Sequence, residues 1–257
     1  MRNILTIAGK ELRSLFVSPI AYVVLTGFLL LGGWFFFNFL FRFTYLLTVY
    51  TGLQNAEGLQ GLNLNEYVMA PLLHNLTIVL VIMIPLITMR AFAEEKRSGT
   101  YELLLTSPLS VTEIVLGKLV GAVAFVGVMI LLTAIYPAIL ALYGNPELGV
   151  VAAGYLGLFL LGAVFVSVGL LTSSLTENQI VAAVACFVVL LLLYVISWPA
   201  ETAGVGLGGL LKYLSVVDHF GEMVKGLIDT ADIVYFLSLI ALAIFLTHRT
   251  VEASRQR

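Results

Sequence analysis

Charge is scarce in this chain of 257 residues. Asp, Glu, Lys and Arg make up 11% of it, while 60% is hydrophobic. Soluble domains hold about 25% charged residues, so a water-solvated globule is excluded and lipid is the implied solvent. The length suits one compact membrane domain over 1–257 and leaves no room for a soluble catalytic domain. A net charge of -2 is too balanced and too sparse for nucleic-acid binding. The single cysteine, Cys186, lies in an apolar run. It permits neither an intrachain disulfide nor a cysteine-cluster metal site and reads as a packed apolar side chain. His74, His219 and His248 fall in different segments, and neither HExxH nor a Gly-x-Ser-x-Gly elbow occurs, so an enzyme reading has little to build on. His219 follows Asp218 on a polar segment and is expected to form a solvated surface pair. A phosphate-cradling Gly-x-x-x-x-Gly-Lys-Ser/Thr loop is also missing, which rules out ATP binding by that route. The opening "MRNILTIAGKELRSLFVSPIAY" has no small-residue cleavage site and is expected to be retained.

What the sequence does have is six apolar runs, near 20–41, 71–92, 113–142, 150–174, 178–198 and 231–248. Each approaches or exceeds the roughly 20 residues that a helix needs to cross the hydrocarbon. A spanning segment must satisfy its own backbone polar groups, so these are predicted as helices. The expected fold is an all-α membrane protein with six transmembrane helices. Placing the N-terminus in the cytoplasm puts Arg2, Lys10, Arg13, Arg90, Lys96, Arg97, Lys118, Arg249, Arg255 and Arg257 on that side. Only Arg42, Lys212 and Lys225 then lie opposite, a positive-inside bias of ten against three with both termini inside. Ser110–Glu113 and Thr176–Gln179 have the capping-box pattern before the third and fifth runs. The run interiors lack ionisable side chains, with Arg90 and Lys118 near ends from which they can snorkel. That argues against a proton- or sodium-coupled carrier, which needs such groups at depth. Pro85 and Pro137 kink the second and third runs, as a packing accommodation or as a gate.

Four segments lie outside the runs. Residues 1–18 form a predicted amphipathic interfacial helix. Ile4, Leu5, Ala8, Leu12, Leu15 and Phe16 face one side, and Arg2, Thr6, Lys10 and Arg13 the other. Glu11 falls near the margin of the apolar side, which points either to a plain membrane anchor or to a partner protein that covers it. Residues 42–70 read as irregular and polar. Residues 199–230 hold Leu210, Leu214, Val217, Val224 and Leu227 at helical spacing among charged residues, predicting a short amphipathic helix, a cap or a connector. Residues 93–112 join the second and third runs, and the stretch from Arg90 to Lys118 carries nearly a third of the chain's charge. Ser98 or Gly99 is placed to cap a helix, Glu102 sits in its first turn where the dipole favours an anion, and Pro108 stops it after Leu103, Leu104 and Leu105. So short a helix cannot turn three consecutive leucines to lipid, so some must meet protein or water.

At these residues, "EEKRSGTYELLLTSPLSVTEIVLGK" resembles the signature of the type-2 ABC-transporter permeases, in the branch with the gliding-motility and nitrous-oxide-reductase-maturation permeases. The resemblance extends to "IAGKELRSLFVSPIAYVVLTGFLLLGGWFFF" and to "YLSVVDHFGEMVKGLIDTADIVYFLSLIALAIFLTHRTVE". It implies a permease subunit of the prokaryotic inner membrane, paired with an identical or different second permease above two copies of an ABC ATPase. ATP and Mg would sit on that ATPase, with no cofactor on this chain. Gly99, Thr100, Tyr101, Glu102, Leu103, Leu104, Leu105 and Thr106 would form the coupling helix, led in by Glu94, Glu95 and Arg97. Residues 2–16, with Lys10, Glu11 and Arg13, would be the connecting helix. The implied path between two subunits is lined by the first, second and fifth spans, which offer Tyr22, Trp34, Asn38, Thr77, Tyr194 and Trp198. Tyrosine and tryptophan near span ends also serve as interface anchors. Some relatives require a membrane-anchored accessory subunit, which 42–70 or 199–230 would receive. The expected function is an exporter or mechanotransmitter. The alternatives are an ATP-independent carrier or channel, and a scaffold without transport.

Overall fold

The computed structural model describes residues 2–54, 56–106, 109–201 and 204–255, excepting the side chains of Leu104, Leu105, Ala200, Glu201 and Val205. All regular structure among these residues is helical. Helix α1 (Arg2–Val17) leads directly into α2 (Pro19–Gly52), and α3 is a short turn (Ala56–Gln60). A π-helical turn, Asn65–Met69, opens α4 (Ala70–Thr88). Two short helices follow, α5 (Ala93–Arg97) and α6 (Thr100–Thr106). Then come α7 (Val111–Leu132), α8 (Ile135–Tyr143), α9 (Leu148–Leu175) and α10 (Gln179–Val195). A 3₁₀ turn (Trp198–Glu201) precedes α11 (Gly204–Tyr213), α12 (Val216–Val224) and α13 (Thr230–Arg255).

Five stretches are long and apolar enough to cross a bilayer: Pro19–Gly52, Asn65–Arg97, Val111–Tyr143, Leu148–Leu175 and Thr230–Arg255. The fifth predicted run appears as α10, apolar but only 17 residues long. The chain is a multi-pass membrane protein. Helix α9 is its centre, packing against α4, α7, α10, α12 and α13, while α2 lies outside against α4. Lipid tails are as apolar as Leu, so association rests on close van der Waals fit and polar ties.

Several local features depart from the sequence expectation. Helix α2 runs on to Gly52, about 51 Å, well beyond the first apolar run. The hydroxyls of Thr44, Thr48 and Thr51 donate back to the carbonyls of Leu40, Thr44 and Leu47, so these polar residues stay inside the helix instead of breaking it. The fifth run is capped by Asn178, whose side chain accepts from the amides of Ile180 and Val181, and not by Thr176. The Ser110–Glu113 capping box forms as expected. Pro137 cannot donate to Thr133, and the third run breaks there into α7 and α8. The Thr133 carbonyl is met instead by the Tyr136 amide (3.0 Å) and the Tyr155 hydroxyl (2.9 Å).

The segment 199–230 holds two helices, not one. Ser215 ends the first and caps α12, accepting from the Asp218 amide. The buried stripe of α12 is Val216, Phe220, Met223 and Val224, pressed on α9, so this helix belongs to the bundle rather than to the lipid surface. His219 is not a solvated partner of Asp218. Its Nδ1 lies 2.6 Å from Asp232 Oδ1 on α13, its Nε2 3.0 Å from the Tyr213 carbonyl, and its ring stacks on Tyr235.

Candidate functional site

The basic end of the bundle gathers α1, the α4–α9 junction, α5, α6 and the tail of α13. Its geometry starts from two glycines on α7. A Cβ at Gly117 would stand 2.6 Å from the Ile7 Cβ, and one at Gly121 would stand 2.8 Å from the Glu11 Cβ and 2.9 Å from the Ala8 carbonyl oxygen. This small-residue track lets α1 lie backbone to backbone along α7, as small residues do between membrane helices. Ala8 is buried in the seam, and Phe16 meets Phe125 edge-on at 5.2 Å. Asn3 fixes the far end by donating to Glu113 (3.0 Å). The expectation that a separate partner covers Glu11 is corrected accordingly: the side that carries Ala8 and Glu11 is covered by the chain's own α7.

The docked α1 delivers Glu11 to Lys118, which sits about two turns inside α7. Lys118 does not snorkel. It is 2% exposed, and its Nζ donates to the Ala91 carbonyl (2.7 Å), Glu95 Oε1 (2.8 Å) and Glu11 Oε1 (3.3 Å), with the Phe92 ring at 5.1 Å. An ammonium has three donors and no acceptor, and all three are used here. One buried cation therefore joins α1, the end of α4, α5 and α7. The expectation that Lys118 snorkels from a span end is thus corrected: it is buried because its partners offset its desolvation, as His219 does for Asp232 in the first turn of α13.

A second junction holds the α4–α5 bend. The Ser173 hydroxyl of α9 donates to the Met89 carbonyl (3.0 Å) and accepts from the amides of Phe92 (3.0 Å) and Ala93 (3.2 Å). Lys96 donates to the Ser174 carbonyl (2.6 Å), a cation at the C-terminal end of α9 where the helix dipole favours it. Arg90 reaches Ser18 at the α1–α2 joint (3.2 Å).

From this held α5 the chain turns at Gly99, whose φ of +73° is left-handed, into α6. Tyr101 points inward, buried beneath Lys96. Burial pushes its phenol above the usual tyrosine range, and its hydroxyl has no hydrogen-bond partner among the described residues. Glu102, Thr106 and Leu103 face outward, Leu103 being 72% exposed. Glu94, Arg97, Gly99 and Thr100 are exposed as well, as are Lys10 and Arg13 on α1. The expected stop at Pro108 and the Leu104 and Leu105 side chains lie outside the described residues.

The predicted residues thus divide into exposed ones on α6 (Glu102, Leu103, Thr106), an outward pad, exposed ones on α5, its turn and α1 (Glu94, Arg97, Gly99, Thr100, Lys10, Arg13), the buried Tyr101, and an inward clasp (Glu11, Glu95). Lys118 and Ser173 were missed. The signal for Lys118 was available: a lysine between two glycines inside an apolar helix, and a glutamate on the wrong side of α1.

The sequence profile described as "ABC-2 family transporter protein" matches residues 5–251, from inside α1 to the last turns of α13. The chain belongs to the ABC-2 transporter family. The pad and clasp of this ABC-2 chain lie wholly within the match. Among similar proteins, those named "Probable multidrug ABC transporter permease YbhR" from Escherichia coli K12 and from Escherichia coli O157:H7 are each 29% identical over 156 residues. The alignment covers 58% of this ABC-2 chain and 41% of either relative, so the chain matches less than half the length of those permeases.

Proposed function

We propose that this chain is the membrane subunit of an ATP-driven transporter, an exporter or mechanotransmitter, moved by a separate ATPase that grips the pad on α6 and α1. The buried Lys118 clasp carries this reading. A push on α6 passes through α5 to Glu95, through Lys118 to α7, and through Glu11 to α1, so a load at the surface reaches a span without slack. ATP and Mg belong to the ATPase, present in two copies. The permease pairs with a second permease, identical or different. The exposed apolar faces of α2 (Tyr22, Leu30, Trp34) and of α10 (Ile180, Val184), helices that both pack on α4, are suited to that contact. Thr77 is fully buried inside the protomer and is set aside as a path residue.

In this reading α10 is the sixth span. Its 17 residues make about 25 Å of helix, at the short end of the spanning range. The ten-to-three distribution of Lys and Arg supports a cytoplasmic position for the pad and both termini, in what this reading takes as a prokaryotic inner membrane. The α2–α3 protrusion and the α11–α12 segment would receive an outer accessory subunit.

A tagged chain is purified from native membranes and its partners identified, then repeated with Glu102→Lys and with Leu103→Asp. The parent is expected to bring down an ATPase with measurable turnover. Both variants keep the fold and lose most of the ATPase or its coupling. Normal recruitment and coupled turnover in both would remove α6 as the contact.

A further inference from the structure

At the end of the bundle opposite the clasp, His219 on α12 has an acceptor on each side of its ring. Nδ1 lies 2.6 Å from Asp232 Oδ1 on α13, and Nε2 lies 3.0 Å from the Tyr213 carbonyl oxygen at the end of α11. A carbonyl oxygen only accepts, and so does an ionised carboxylate, whereas a neutral imidazole has a single N–H to give. Two protons are therefore held across these two contacts, one between Nδ1 and Oδ1 and one on Nε2. With one proton fewer, a ring lone pair would face an oxygen lone pair. The ring is held in place for both contacts by stacking on Tyr235, with centroids 4.0 Å apart.

The surroundings leave no substitute for the missing proton. The Asp232 side chain is 8% exposed and has no other side-chain partner among the described residues. A covered carboxylate without a donor is costly. Tyr213 offers the ring its edge at 5.8 Å. Asp218 and Glu222 share α12 with His219, and Glu222 is paired with Lys225 at 2.9 Å. Of the other helices packed on α12, α4 brings His74, which meets Phe220 edge-on at 5.4 Å, while α9 and α10 carry no Asp, Glu, His, Lys or Arg.

The α11–α12 joint thus hangs from α13 by two adjacent carbonyls. Leu214 is held directly by the Tyr235 hydroxyl (2.7 Å), and Tyr213 is held through His219. Only the second hold needs the extra proton. We propose that His219 is a proton-operated latch on the α11–α12 segment: with Nε2 protonated it joins the Tyr213 carbonyl to Asp232, and on losing one proton it keeps Asp232 and releases the end of α11. The remaining N–H stays with the carboxylate because a charge-assisted hydrogen bond is the stronger of the two. The closed form holds a proton that the open form gives up, so the latch holds at low pH and opens as pH rises. Histidine is the side chain suited to such a change near neutrality. That the latch meets the pH of the outer compartment rests on the orientation proposed above; the latch itself is read in either orientation and without the ATPase.

The variant His74→Gln, His248→Gln leaves His219 as the chain's single histidine. In nanodiscs with nitrogen-labelled histidine, NMR reads both ring nitrogens at about pH 5.5 and about pH 9, either side of the ordinary histidine range. Nε2 is expected to carry a proton at the lower pH and none at the higher, where Nδ1 keeps one. Amide exchange of the parent, divided by the intrinsic rate at each pH, should show residues 204–215 opening at least fivefold more at the higher pH, with α1 unchanged. His219→Gln, whose amide does not titrate, should open equally at both. A bare Nε2 at the lower pH, an Nε2 protonated throughout, opening in the parent that ignores pH, or a pH response that survives in His219→Gln overturns the latch. Where a variant fails to fold, exchange in the parent decides.

Discussion

Replacing Lys118 with Met keeps the length and apolar stem of the side chain and removes the charge. What remains is the Ala91 carbonyl and the carboxylates of Glu11 and Glu95, all facing a point where no donor is left. Both carboxylates are largely covered, with side chains 16% and 19% exposed, so water screens them poorly. Removing one partner of a buried ion pair costs about 3–5 kcal/mol, because an uncompensated charge stays behind. Two carboxylates are stranded here, but each keeps partial access to water. The expected loss is therefore near the lower bound, about 3 kcal/mol.

The assay is reversible unfolding in mixed micelles, followed by helical circular dichroism. The triple variant Lys118→Met, Glu11→Gln, Glu95→Gln is the control. It removes the stranded charges, and replacing a whole buried ionic group is commonly neutral or stabilising, so most of the loss should return. In the reconstituted complex the two should separate differently: the triple variant regains stability but not ATP-coupled activity, since neutral amides do not hold α1, α5 and α7 to one another as the ammonium does. A single variant within about 0.5 kcal/mol of the parent, the scatter of ordinary surface changes, would refute the clasp. So would a triple variant no more stable than the single one.

Three further outcomes are expected. Gly121→Leu drives a side chain into Glu11 and the Ala8 backbone, lifting α1 from α7, so trypsin should cut at Lys10 and Arg13 at least several-fold faster than in the parent. Asp232→Ala frees His219 and with it the α11–α12 segment. Amide exchange over 204–226 should accelerate while α1 stays protected, and uniform acceleration would count against a local tie. Burial raises the Tyr101 phenol, so the unfolded chain gives up that proton first as pH climbs. Its stabilising contribution is whole below the ordinary tyrosine value and drains away as pH rises above it. Tyr101→Phe should therefore lose less stability than the parent as pH rises above the ordinary tyrosine value of about 10, measured by thermal unfolding, and parallel curves would show that the phenol titrates alike in the folded and unfolded chain.

What was legible in the sequence was whatever depends on local composition. Apolar length marks the spans, the Ser110 and Glu113 side chains announce a helix start, and Pro137 announces a break. The amphipathic wheel of α1 was legible too, but not what its apolar side meets, because Gly117 and Gly121 look like any small residues until a neighbour lies against them. Polar residues misled in both directions. Thr44, Thr48 and Thr51 suggested a loop yet bond to their own helix, and Lys118 suggested a snorkelling end yet finds three acceptors from three other segments. His219 was assigned its sequence neighbour Asp218, whereas Asp232, thirteen residues on, is the partner that folding supplies. Long-range pairing is the property that composition and periodicity do not carry.

The placement of the two buried ionic ties has a mechanical meaning. Lys118 holds α1 and α5 at one end, and Asp232 holds α12 through His219 at the other. Each tie joins a helix that does not span to one that does. Apolar packing alone would fix such helices loosely, since lipid competes for the same apolar surface on nearly equal terms. An ionic contact behaves otherwise: it is made in one register and lost within a small displacement, and in low dielectric the difference is large. Helices tied in this way move with their spans or detach from them, with little between. Under a load applied at α6, the clasp moves α7 as a unit until it fails, and the outer tie makes α12 follow α13. Packed interfaces with two discrete arrangements turn small shifts at one site into large ones elsewhere. On these grounds motion of the bundle is expected to be stepwise, and the Lys118 variants should convert it to a graded response rather than merely a weaker one.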